Sequence, residues 1–328
     1  MAAPPARSRP ILVTGALGQI GSELVPALRS RYGNDQVIAS DVRVEPFAGS
    51  TGFSSEHLDC TDISQLQEIV RRHDVGTIYH LAALLSATAE AKPQVAWSVN
   101  MGSLYNVLEV ARRCRCSVFF PSSIGAFGPT TPRDRTPQVT IQRPTTIYGV
   151  TKVAGELLCD YYAHRFGVDA RGLRLPGLIS YVAPPGGGTT DYAVDIFYQA
   201  IRYRHYVCFL AADTRLDMMY MPDAIRAMME LMEADPGRLR FRNAYNVTAM
   251  STTPAELAAE IRKHIPDFVI EYRVDPVRQA IAESWPRSMD DSAAREDWGW
   301  CPQYTLSEMV EDMLARLTER LKFADTSE

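Results

Sequence analysis

The run Pro10-Ile-Leu-Val-Thr14 leads straight into Gly15-Ala-Leu-Gly18-Gln-Ile-Gly21, and this junction constrains the fold more than any other stretch. A short apolar run closing on glycine reads as a buried parallel strand. Beyond it, Ile20, Leu24, Ala27 and Leu28 recur at the spacing of a helix packed on one side. The glycines between them permit a tight turn, close approach of backbone N–H groups to a pyrophosphate, and close packing of helix on strand. The spacing is G-x-x-G-x-x-G, a variant of the dinucleotide fingerprint G-x-G-x-x-G.

The same alternation continues downstream. Strands are expected at 37–40, closing with Asp41, at 57–58 leading into Asp59, and at 77–81. Ser64 is expected to cap a helix reaching about His73, and residues 95–114 and 148–166 read as two long helices. Strands follow them at 117–122 and 169–175. This alternation implies an α/β protein with a Rossmann-type doubly wound parallel sheet. After Pro176 the pattern loosens into the loop Ala183-Pro-Pro-Gly-Gly-Gly-Thr-Thr190. Helices are expected there at about 191–202, 222–233, 254–263 and 305–322, with strands at 244–247 and 268–272. The expected domains are a flexible arm over 1–9, a dinucleotide-binding domain over 10–180, and a smaller α/β substrate lobe over 181–328 with some segments returning to the first domain.

Composition excludes several classes. With 328 residues, 46% hydrophobic and 22% charged, the chain has ample core without disulfides. A net charge of −5 gives no footprint for nucleic acid, and no apolar run approaches the roughly 20 residues of a membrane span. Six cysteines form neither a disulfide framework nor a metal site, since Cys114-Arg-Cys116 is too tight for zinc spacing. No metal is expected. Met1 to Arg9 holds two arginines, three alanines and no acid, which suits a disordered arm or the remnant of a mitochondrial presequence.

Asp41 follows Gly21 by 20 residues, where a carboxylate accepts both ribose hydroxyls and repels a 2′-phosphate. That favours NAD over NADP, although Arg43, just beyond Val42, is of the type that hosts a 2′-phosphate. Asp59-Cys60 would meet the adenine edge, unless Asp59 simply caps the next helix. Tyr148 and Lys152 stand one helical turn apart and project from the same face. A free phenol titrates near roughly 10. A lysine held close favours the phenolate and brings it toward the range of a general base.

Together these residues resemble the extended short-chain dehydrogenase/reductase family. The pattern comprises the glycine turn (Gly15, Gly18, Gln19, Ile20, Gly21), Asp41, Asp59, His80-Leu-Ala-Ala83, Asn100, Ser122-Ser123 and Tyr148-x-x-x-Lys152. The resemblance implies NAD as cofactor, with Leu81, Ala82 and Ala83 lining it and Asn100 supporting a proton relay. Ser123 is the implied hydroxyl that orients the substrate oxygen, its 25-residue distance from Tyr148 favouring it over Ser122. Within the family, four stretches resemble the L-threonine 3-dehydrogenase branch: Pro121–Pro129, Arg174–Ser180, Gly186–Ala193 and Ser284–Ser292. That branch implies Ser86, Thr190 or Thr189, and Trp285 as substrate contacts and Leu178 as a nicotinamide neighbour. It also implies a homodimer built on the 95–114 and 148–166 helices, and a mitochondrial location, with the cytoplasm as alternative.

The implied reaction is oxidation of the threonine 3-hydroxyl to 2-amino-3-oxobutanoate, with Tyr148 as base, Lys152 beside it and Ser123 on the oxygen. Short hydroxyl donors such as Ser86, Thr189 and Thr190 suit a small zwitterion, Trp285 would exclude water, and the triple glycine would let its loop move as a lid. Two rivals remain. Nucleotide-sugar epimerases share Tyr, Lys and Ser. A non-catalytic NAD-binding regulator would not need the Tyr/Lys pair that is present. Dehydratases are disfavoured, because Ile124-Gly125 stands where they place an Asp-Glu pair.

Overall fold

The computed structural model describes residues 9–43, 55–184 and 188–325. The first strand, β1 (Ile11–Thr14), is wholly buried and passes through the glycine turn into α1 (Gly21–Tyr32). The strands β2 (Val37–Asp41) and β3 (Ser55–His57) follow, then α2 (Ile63–Arg72) and β4 (Thr77–His80). The third strand stops at His57, so Asp59 lies in the turn beyond it. Asp62, not Ser64, caps α2: its carboxylate accepts the backbone N–H groups of Ser64 and Gln65. Position explains the difference, since the side chain that caps must stand before the first turn rather than in it.

Residues 95–114 are helical throughout, as expected, but not as one regular α-helix, because a π turn interrupts them. The chain runs through α3 (Ser86–Ala91), α4 (Pro93–Trp97), a π-helical turn over Ser98–Gly102, and α5 (Ser103–Cys114). Next come β5 (Ser117–Ser123), the 20-residue α6 (Ile147–Phe166), β6 (Ala170–Leu175) and β7 (Gly177–Ile179). The remainder forms α7 (Tyr192–Tyr203), β8 (His205–Cys208), β9 (Leu216–Tyr220), α8 (Met221–Glu233), β10 (Tyr245–Asn246), β11 (Met250–Thr252), α9 (Pro254–His264), β12 (Val269–Tyr272), α10 (Pro276–Glu283), α11 (Ser292–Trp298) and α12 (Leu306–Asp325).

The main sheet has seven strands in the order β10-β6-β5-β4-β1-β2-β3, every pair parallel. The order reverses between β1 and β4, and ligands of doubly wound sheets bind outside the carboxyl ends at that switch point. Apolar side chains of α1, α8 and α11 cover one face, and those of α2, α5 and α6 the other. A third core joins α7, α9 and α12 to a small sheet, β11-β9-β7, and includes Ile124, Phe127 and Trp285. The strands β8 and β12 pair separately. Among the described residues no helix is long and apolar enough to cross a membrane.

Candidate active site

The glycine turn has the form its sequence requires. Gly15 has φ +67°, and a Cβ there would sit 2.7 Å from the Ala82 backbone nitrogen. A Cβ on Gly21 would meet Ala16 Cα and its carbonyl oxygen at 2.6 Å, so the helix lies on the turn as only glycine allows. Gly18 N–H is used inside the turn, donating to Gly15 O at 3.0 Å. The N–H groups of Gln19 and Ile20 meet no acceptor among the described residues, and no side chain caps the start of α1. An uncapped helix N-terminus with free donors suits a pyrophosphate.

Asp41 ends β2 and accepts from the backbone N–H of Leu17 at 3.0 Å and from Arg43 Nε at 3.1 Å. Burial works to raise its carboxyl pKa, but the Arg43 side chain and the two backbone donors outweigh it and hold the group below the usual carboxylate range. Arg43 is thereby drawn onto the carboxylate, and Val42 between them is exposed. Asp59 accepts from Thr61, N–H and hydroxyl both, which pull its pKa down. Cys60 is buried and its thiol is pushed up to about 12 by that burial, so it is an inert wall. These residues have the features a dinucleotide requires: free N–H donors, a clearance that a Cβ would fill, and an ionised carboxylate at the end of the second strand.

Leu81 continues β4, its N–H donating to Thr14 O at 3.1 Å, and brings Ala82 over Gly15, with Ala83 following it. His80 is buried beneath them. The Ser103 hydroxyl donates to Val99 O, so it accepts from His80 Nε2, which leaves Nδ1 to accept from Thr14 at 2.9 Å. Burial first and the Lys152 charge second take this imidazole down to about 3, and it stays neutral. The π-helical turn puts Asn100 against Leu84, with Leu84 N–H donating to Oδ1 at 2.8 Å and Nδ2 donating to Leu84 O at 3.2 Å. Its Nδ2 also reaches Thr151 Oγ1 at 3.2 Å, tying it to the helix of Tyr148. Single π turns are frequent at functional sites. A small cavity lies between Asn100, Lys152, His80 and Ala83.

Ser123 and Tyr148 come together at Gly125, whose Cβ would lie 3.3 Å from the Tyr148 ring and 3.5 Å from Ser123 Oγ. The Ser123 oxygen also accepts Gly125 N–H at 3.1 Å. Ser122 points the other way, into Glu156. Lys152 is buried, donates to Pro121 O at 2.6 Å, and stands 5.3 Å from the centroid of the Tyr148 ring. Burial takes its ammonium down to about 8. The Tyr148 phenol stands above its ordinary value because burial dominates, with Ser123 pulling it back.

The residues expected at the substrate lie on distant segments. Leu178 lies on β7, half-buried, and the Thr190 methyl faces Gly177 on the same strand. Thr189 is buried and Thr190 half-buried. Ser86 opens α3 and is half-buried. Trp285 is buried in the lobe core, which also takes in Ile124, the residue after Ser123. Gly186 and Gly187 of the expected lid, and residues 1–8 of the expected arm, lie outside the described residues.

Sequence reasoning missed Asp217. Fully buried in β9, it accepts from Met289 N–H at 2.7 Å and from the Thr248 hydroxyl at 2.6 Å, fastening the Trp285 segment to the lobe sheet. An acid inside the apolar run Leu216–Tyr220 was the signal. Among the described residues no cluster of three or more His, Cys, Asp or Glu is placed to hold a metal.

A doubly wound sheet with a glycine turn and free N–H donors at its switch point, and with a Ser/Tyr/Lys group on neighbouring elements, is the arrangement of an NAD-binding enzyme of the Rossmann class. The model of the NAD-dependent epimerase/dehydratase family matches residues 11–248, and the chain belongs to that family. It is 57% identical over 306 residues to an uncharacterized epimerase/dehydratase of Staphylococcus saprophyticus, covering 93% of this chain and 95% of that protein. Among solved structures it is similar to an L-threonine dehydrogenase from Clostridium difficile, at 55% identity and TM-score 0.94, covering 96% of this chain and 99% of the other. A GalE-like L-threonine dehydrogenase from Cupriavidus necator in its holo form is 56% identical, with TM-score 0.92 and coverage of 94% and 99%. A UDP-glucose 4-epimerase from Thermotoga maritima, 23% identical with TM-score 0.82, shares the fold.

Proposed function

We propose that this chain oxidises the 3-hydroxyl of L-threonine to 2-amino-3-oxobutanoate with NAD as acceptor. The observation that carries this reading is that the chain is over half identical to solved L-threonine dehydrogenases along almost its whole length, and the Ser123/Tyr148/Lys152 group supports it. The nucleotide would be held by Gly15, Gly18, Gln19, Ile20 and Gly21 at the pyrophosphate, by Asp41, Val42 and Arg43 at the adenosine ribose, and by Asp59 and Cys60 at the adenine. Leu81, Ala82, Ala83, Asn100, Lys152 and Leu178 would line the rest. Bound there, it would supply an acceptor for the C3 hydrogen with its electron pair, and positive charge beside Tyr148.

The chain's own residues do the remainder. Tyr148 takes the hydroxyl proton as phenolate, a general-base role typically worth about 10²–10⁴ in rate. Ser123 donates to the oxygen as it becomes a carbonyl. Lys152 keeps one N–H on Pro121 O and has others for the ribose. Ser86, Thr189 and Thr190 meet the amino acid's carboxylate, and Trp285 excludes water. Ile124-Gly125, buried behind Ser123, offers no acid or base for sugar elimination.

The domain reading assigns 10–180 to the cofactor and 181–328 mainly to substrate, with β10 returned to the main sheet. A homodimer is supported by exposed apolar side chains on the α5–α6 side, Tyr105, Leu157, Tyr161 and Phe166. One similar solved structure is described as a monomeric L-threonine 3-dehydrogenase, so solution mass decides. The staphylococcal relatives support the cytoplasm rather than the mitochondrion. The test is NADH formation from NAD against NADP with L-threonine, L-serine, 3-hydroxybutyrate and a nucleotide sugar. L-threonine with NAD is expected to give the largest kcat/KM, and a preference for the sugar would overturn the reading.

A further inference from the structure

Glu156 stands one helical turn beyond Lys152 and two beyond Tyr148, on the same face of α6. It is 1% exposed, and Arg174 on β6, its ion-pair partner at 2.8 Å, is 6% exposed. Arg174 grips both carboxylate oxygens, with Nε at 3.0 Å from Oε1 and Nη2 at 2.8 Å from Oε2. Two further donors complete the carboxylate: the Ser122 hydroxyl, and Gln142 Nε2 at 2.9 Å. The other arm of Arg174 holds Gln138 O at 2.8 Å and Asn246 Oδ1 at 3.2 Å. One buried pair therefore ties the end of β5, the 124–146 connection, α6, β6 and β10 together, directly behind the reacting side chains.

Stability does not account for it. Burying two charges costs several kcal/mol per ion, and apolar replacements of such pairs are often neutral or better. What the pair does have is a position. Lys152 is surrounded by Pro121 O, the rings of Phe120 and Tyr148, neutral His80, Asn100 and, on its own helix, Cys159. Glu156 is the carboxylate whose charge opposes the desolvation of Lys152.

We propose that Glu156 is a positioning residue for the reaction: its buried carboxylate supplies the negative charge that holds Lys152 as an ammonium ion, and its bond to Ser122 sets the strand end carrying Ser123. This rests on the roles given above to Tyr148, Lys152 and Ser123. Without Glu156, Lys152 would lose its proton at lower pH, and with it the charge beside the phenol. Ser122→Ala cuts the tie and keeps the charge, so the two contributions separate.

The chain has four lysines, Lys92, Lys152, Lys263 and Lys322, so ¹³Cε-lysine NMR resolves each, with Lys152→Met assigning the buried one. On the full chain without substrate or nucleotide, the Lys152 midpoint is expected to fall by about one pH unit in Glu156→Gln, roughly a tenfold loss of proton affinity. Should that variant fail to fold with Arg174 unpaired, Glu156→Gln with Arg174→Met is compared with Arg174→Met alone, so that only the carboxylate differs, and the double variant is expected to have the lower midpoint. Ser122→Ala is expected to keep the midpoint and lower kcat with KM little changed. An unchanged midpoint in the charge variants, or an equal fall in Ser122→Ala, would overturn the proposal. A wild-type chain that makes no NADH from L-threonine would remove the substrate reading and leave the Lys152 titration to decide on Glu156.

Discussion

The cofactor side and the substrate side of this molecule are built by opposite means. On the main sheet each functional side chain stands at the end of its own element. Gly15 follows β1, Asp41 ends β2, Ser123 ends β5 and Tyr148 stands in the first turn of α6, and the hydrogen bonds of Asp41 and Ser123 reach no more than 24 positions along the chain. On the lobe, Leu178, Thr190 and Trp285 are over a hundred positions apart end to end and meet only through long-range ties. The segment after Trp285 is anchored because Asp217 accepts from Met289 N–H, Thr136 N–H donates to Ser288 O, and Arg287 N–H donates to Arg133 O. A local motif fixes a reaction, whereas a packed lobe fixes what is admitted to it. Damage to the first should therefore appear in kcat, and damage to the second in KM and stability.

The largest expected effect is on the first side. Tyr148→Phe keeps the ring and removes the proton acceptor, so kcat should fall about 10²–10⁴-fold with the melting curve unchanged; loss of fold in parallel would break the comparison. On the lobe, Asp217→Ala leaves the Met289 N–H and the Thr248 hydroxyl unpaired in the interior. Chemical denaturation should show a cost of roughly 2–4 kcal/mol.

Asp217→Asn sharpens that point through pH. Burial holds the Asp217 carboxyl up at about 8, against the pull of Thr248 and Met289. Between the unfolded value near roughly 4 and about 8, the unfolded chain is ionised while the folded one keeps its proton. Stability from this group is therefore full at the acid end and is lost as pH rises through that window, at no more than about 1.4 kcal/mol per unit. Asn abolishes the slope, which melts from pH 5 to 9 would register. The smallest effect is expected at Trp285→Leu, which keeps an apolar wall. KM for L-threonine should rise roughly tenfold with kcat nearly constant, and a fall in kcat alone would place Trp285 with the reacting groups instead.

The same contrast governs what could be read from the chain. The glycine turn, Asp41 and the Tyr148/Lys152 pair were legible because each requirement is local: a clearance, a strand end, one helical turn. The alternation of strand and helix carried the parallel sheet for the same reason. The π-helical turn at Ser98–Gly102 was not legible, since one inserted residue barely disturbs an apolar stripe yet turns Asn100 onto Leu84. The three-residue strands β7 and β11 are too short to show a period. Asp217, Glu156 and Arg174 read as ordinary charges until the fold buries them. The raised phenol of Tyr148 is likewise a property of its enclosure.

The central claim is that the C3 hydrogen of threonine leaves with its electron pair while Tyr148 takes the hydroxyl proton. The most direct test uses L-threonine deuterated at C3, with mass spectrometry of the released dinucleotide. The account expects one deuterium in each NADH formed, and no NADH released with a nucleotide sugar. NADH free of deuterium, or epimerised sugar with no net NADH from threonine, would contradict it.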